Sequence, residues 1–88
     1  MNGTAAQKLL GRMRRSSSGW GQRDFEHLFS GFGFRWKEGL HRKYYHPDFP
    51  DLWISIPRHK TLKEWVTRDA VGLIDELISR QTKGETKL

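Results

Sequence analysis

His41 stands in the run Gly39-Leu40-His41-Arg42-Lys43-Tyr44-Tyr45-His46-Pro47, at the turn between two short strand-like stretches. A later run, Ile54-Ser55-Ile56-Pro57-Arg58-His59, adds a second basic turn. An unperturbed imidazole titrates at about 6.5, so it can take and return a proton near neutral pH. Among cations and exposed rings, that property suits proton transfer on a polyanion. In RNA cleavage a general base takes the 2′-hydroxyl proton, the oxygen attacks the adjacent phosphorus, and an acid protonates the leaving oxygen. The plain alternative is a turn histidine with no chemistry.

The neighbours of His41 fit the same chemistry. Arg42, Lys43, Arg58 and Lys60 are candidate phosphate contacts that could stabilise charge in the transition state; an ordinary solvated face is their alternative. His59, between Arg58 and Lys60, could contact phosphate or carry a second proton, or simply sit in a solvated loop. His46, before Pro47, reads as a strand-end residue, and His27 as a helix-surface residue. Four histidines without tight spacing make no convincing metal site, so neither metal nor cofactor is expected.

Composition bounds the class. Eighty-eight residues allow one small domain. Aromatic content of 12%, with four tryptophans, can supply an efficient core. The chain has no cysteine, hence no disulfide framework or thiolate site, which favours a reducing compartment. Arg12, Arg14 and Arg15 interrupt the one candidate apolar run at the N-terminus. The expectation is a cytoplasmic protein without a membrane span. A net charge of +6 points to an anionic partner, and nucleic acid fits because the cations recur through the folded portion. An acidic protein partner fits the charge equally well.

Elements must hold these residues in place. The apolar residues Leu9, Leu10 and Met13 predict a short helix over residues 5–15, weakened by Gly11, after a frayed start at residues 1–4. Asp24 is the expected cap of a second helix carrying Phe25, Leu28, Phe29 and Phe32, ended by Gly31 and Gly33. Strands are expected over residues 34–38, 41–46 and 52–56. A last helix spans residues 67–80, with Thr67 as N-cap and Ala70, Leu73, Ile74, Leu77 and Ile78 as its stripe. Trp20 and Trp65 are expected to pack as core or lid residues. Residues 1–20 thus read as an N-terminal extension, 21–80 as the domain, and 81–88 as a disordered tail.

Alternation sorts the strands into two faces. Phe34, Trp36, Tyr44, Leu52, Ile54 and Ile56 form an apolar face for the helices to cover. Arg35, Lys37, His41, Lys43, Tyr45, Trp53 and Ser55 fall on the other. Cations interleaved with rings offer charge for phosphates and planes for bases. Arg42 and His46 fall on the apolar side by strict alternation, so both are expected at its edge or reaching round to water.

With these residues in view, the chain resembles the HicA family of toxins from bacterial toxin–antitoxin systems, over roughly residues 24–78. A short helix ends in Gly33-Phe34, where the family has a Gly-Phe or Gly-Trp pair. Gly39-Leu40-His41-Arg42-Lys43-Tyr44-Tyr45-His46-Pro47 is similar to its G-S-H-x-x-[YF]-x-H-P motif, and Ile54 to His59 to its V-x-[VM]-P-x-H segment. The resemblance implies an α+β, double-stranded-RNA-binding-like α-β-β-β-α fold with a three-stranded antiparallel sheet, here with an extra N-terminal helix. It further implies metal-independent, ribosome-independent mRNA cleavage by one essential histidine, matched by His41, and neutralisation by a HicB-like antitoxin. Leu40 stands where the family has serine, so that hydroxyl's contribution is missing here. The RNA-binding set under this reading is Arg35, Lys37, Arg42, Lys43, Tyr45, Trp53, Arg58, His59 and Lys60. Two alternatives share the fold: a non-catalytic RNA-binding module holding A-form RNA by shape, and a protein-interaction domain whose basic face docks an acidic partner.

Overall fold

The computed structural model describes residues 2–84, in the order α1 (Asn2–Arg15), α2 (Gln22–Gly31), β1 (Arg35–Lys37), β2 (Arg42–His46), β3 (Phe49–Ile56) and α3 (Glu64–Gly84). It is an α+β fold: three helices and one open antiparallel sheet of order β1-β2-β3. Among the described residues, no helix is long and apolar enough to cross a membrane.

The inner face of the sheet carries Phe34, Tyr44, Leu52 and Ile56, all buried, with Trp36 and Ile54 partly so. Helix α2 covers it with Phe25, Leu28 and Phe29, and α3 with Val66, Ala70, Ile74 and Leu77. Helix α1 is part of this core rather than an appendage. It buries Ala6, Leu10 and Met13, one stripe at helical spacing, and Arg14 joins Asp75 of α3 at 2.5 Å.

The helix boundaries differ from the expected ones for local reasons. Helix α2 starts at Gln22, so Asp24 lies inside it and its carboxylate accepts the Gly21 N–H at 2.9 Å. Its end is a Schellman arrangement. Gly33 adopts φ +87° and donates to the Ser30 carbonyl at 3.1 Å, while the Phe34 N–H reaches the Phe29 carbonyl at 2.9 Å. The rings of Phe29 and Phe34 then meet edge to face at 4.9 Å. Helix α3 starts at Glu64, not at a Thr67 cap, because Leu62 and Val66 extend its apolar stripe backward. Thr67 is buried inside the helix instead. This phase leaves Trp65 exposed, in contrast to the core or lid position expected for it. With no proline or glycine between Arg80 and Gly84, α3 continues beyond Arg80 into the stretch read as a tail; residues 85–88 of that stretch lie outside the described residues.

Strand β3 begins at Phe49 rather than Leu52. A two-residue turn, Pro47-Asp48, joins it to β2, and the register shifts between Tyr45, opposite Trp53, and His46, opposite Phe49. Pro50 is tolerated because β3 is an edge strand. Arg80 holds this irregular half of β3 against α3 through both oxygens of Asp51, at 2.9 and 2.8 Å.

Candidate functional site

The turn between β1 and β2 projects Leu40 and His41 into solvent; Leu40 is 87% exposed. An unsupported turn of this kind would move freely, but this one is clamped. Glu38 accepts from Arg42 at 2.7 Å on one oxygen and from Arg58 at 2.5 Å on the other. Arg58 also donates twice to the Gly39 carbonyl, at 3.2 and 3.0 Å. Arg42 continues the chain of charges into α2, reaching Glu26 at 3.0 Å and donating to the Tyr44 hydroxyl at 3.2 Å. Its guanidinium lies over Trp36 and Tyr44, at 5.1 and 5.9 Å from the ring centroids.

The electrostatics follow from these contacts. The hydrogen bond from Arg42, seconded by Arg58, holds the Glu38 carboxyl below its ordinary range. Burial raises the Tyr44 phenol, against the opposing pull of Arg42. The Arg42 pKa is raised, first by the Tyr44 hydroxyl and then by Glu38 and Glu26. Arg42 is therefore a permanent cation with only 18% of its side chain exposed. It lies on the inner side, as alternation requires, and is committed within the fold rather than displayed for phosphate. Arg58 is likewise engaged in holding the turn.

The remaining candidates divide by position. Arg35, Lys37, Lys43 and Trp53 are exposed on the open face with Tyr45 half-buried beside them, while His59 and Lys60 are exposed in the loop after β3. On that face the Lys43 ammonium sits 4.6 Å from the Trp53 centroid, and Lys37 lies 5.8 Å from that of Tyr45. Each such exposed contact contributes about 0.5–1 kcal/mol, little enough for a phosphate to draw the lysine away. His41 adjoins the lysine end of this face, and its imidazole has no hydrogen bond or ion pair among the described residues. A substrate would have to orient it. Among the described residues, no group of three or more His, Cys, Asp or Glu is placed to hold a metal ion.

His46 departs from the edge position expected for it. It is buried, between Phe34 at 5.2 Å and Phe49 at 5.6 Å, and its Nδ1 accepts the Asp48 N–H at 3.1 Å. That bond leaves the proton of a neutral ring on Nε2. Sequence reasoning passed over Glu38 as a strand end. The sequence does place Glu38 four positions before Arg42, whereas Arg58 reaches the same turn only through the β2–β3 register carried past Ile56.

No protein-family model, curated protein or solved structure matches this chain.

Proposed function

We propose that the protein is a metal-independent RNA endonuclease of the HicA type, the toxin of a type II toxin–antitoxin pair, with His41 as its proton-transferring residue. The observation that carries this reading is a solvent-exposed histidine on a turn clamped by Arg58, Glu38 and Arg42, beside a face of lysines and rings. The order of the motifs around Gly33-Phe34, His41 and His59 supports it, as does the net charge of +6. The double-stranded-RNA-binding-like arrangement implied by that resemblance belongs to the same proposal. In this mechanism Lys37 and Lys43 hold phosphates, and His41 takes the 2′-hydroxyl proton or protonates the leaving oxygen.

A HicB-like antitoxin would silence such an enzyme most simply by covering His41 and Lys43. A complex that blocks activity while leaving His41 accessible would contradict occlusion. The reading as a whole is tested by inducible expression of the wild type beside His41→Ala, following growth and mRNA integrity. Growth arrest with cleaved mRNA, abolished by the substitution, is expected; equal effects of the two chains would overturn the assignment.

A second reading, a non-catalytic RNA-binding module, is favoured by two features: Leu40 replaces the family's serine, and no side chain among the described residues orients His41. RNA binding without any cutting by the wild type would select it.

A further inference from the structure

The strand register orders the open face into two rows. Tyr45 lies between Arg35 and Trp53 in one row across the three strands, and Lys37, Lys43 and Ser55 form the next row towards the turn. Same-face rows lie two residues apart, about 6.5–7 Å, and neighbouring strands about 4.8 Å. One row is planar groups; the other is ammonium groups and a hydroxyl. None of the six is acidic.

We propose that this face binds a single-stranded RNA segment running across the strands, its phosphates on the Lys37–Lys43 row and its unpaired bases on the Arg35–Tyr45–Trp53 row. This rests on the RNA reading above and adds the state of the substrate. The separation of the rows is comparable with the reach from a phosphate to the base it carries. A segment laid this way passes its backbone beside the turn that bears His41. Rings need exposed base faces, and an A-form duplex buries those faces in its own stack, offering only backbone and groove edges. Trp53, half of whose surface is exposed, would gain nothing from a duplex. The lysines that rest over Tyr45 and Trp53 in the free protein do not block the site. Drawn onto phosphates, they uncover the rings, so charge neutralisation and base stacking occur together.

The test measures binding of the full chain to a short labelled 2′-O-methyl RNA, which cannot be cut through its 2′-oxygen, as a single strand and as the annealed duplex. The single strand should bind at least about tenfold tighter, and Tyr45→Leu and Trp53→Leu should each weaken it about 5- to 100-fold. Tyr45→Phe and Trp53→Phe keep a ring and should retain most of the affinity, which separates stacking from folding. Lys37→Ala with Lys43→Ala should flatten the salt dependence by about 1.4 in log–log slope. Tighter binding of the duplex, or leucine variants that bind like the wild type while the lysine variant does not, would overturn the single-strand proposal and leave the RNA reading standing. Failure to bind either RNA would overturn both.

Discussion

The two ends of one hairpin carry two histidines in opposite circumstances. His41 lies in solvent just before β2, on a turn held by the charged contacts of Glu38 and Arg58, and its ring has no hydrogen bond or ion pair among the described residues. His46 ends the same strand in the core, enclosed by Phe34 and Phe49, with Nδ1 committed to the Asp48 N–H. The first end is held by ion pairs that leave the imidazole available; the second is held by ring packing that consumes it. Two residues of one type thus divide into a candidate reagent and a structural part. The division is made by what surrounds them, since both sit next to a turn and within a basic sequence.

The contrast is sharpened most by exchanging the losses. His41→Ala should reduce RNA cleavage by roughly 10²–10⁴-fold, the ordinary contribution of a positioned acid–base group, with no change in thermal midpoint. His46→Ala should do the reverse. It opens a cavity between two rings and frees the Asp48 N–H, at a cost of about 2–3 kcal/mol, and lowers the midpoint by roughly 10–20 °C. Thermal melts and cleavage rates of both variants, measured side by side, decide it; a His41→Ala protein that melts early would erase the distinction.

Gly33 probes the buried end more gently. Its φ of +87° disfavours any side chain, and a Cβ there would stand 3.3 Å from His46 Nε2. Gly33→Ala should destabilise by about 1–2 kcal/mol, read from denaturant midpoints at constant slope. At the exposed end Arg58→Ala removes a half-exposed pair and should barely move the melt. It should instead lower the backbone order parameters of Gly39, Leu40 and His41, because both donors to the Gly39 carbonyl are lost. Unchanged order parameters there would show that the clamp is not what holds the turn.

The smallest effect is that of acid. The Glu38 carboxyl titrates below its ordinary range in the folded chain because Arg42 and Arg58 favour its charged form. Its stabilisation is therefore complete above the usual carboxylate range and is lost as pH falls through the depressed value. The carboxyl carbon shift of Glu38 itself should stay on its ionised value through mildly acidic pH and titrate only below that range.

Much of this contrast was legible in the sequence. Alternation placed Phe34, Trp36, Tyr44, Leu52, Ile54 and Ile56 inside, and Lys37, Lys43, Tyr45 and Trp53 outside, because period two survives even where strand ends are misjudged. It also placed Arg42 inside. What it could not supply was the destination of that guanidinium, which depends on Glu26 from α2 arriving beside it. The burial of His46 was hidden for a related reason. It requires the left-handed Gly33 to bring Phe34 alongside, and Phe49 to fold back across the turn. Trp65 misled because large rings favour cores, whereas the helix phase set by Leu62, Val66 and Ala70 turns it outward.

The proposed function stands on His41 cutting RNA by proton transfer without a metal. Its most direct test is cleavage of end-labelled RNA by the purified wild type in EDTA, with the product ends identified. Cleavage should persist in the chelator and leave 2′,3′-cyclic phosphate, with His41→Ala nearly inactive under the same conditions. RNA left intact by the wild type, or cut equally well by the alanine variant, would contradict the claim.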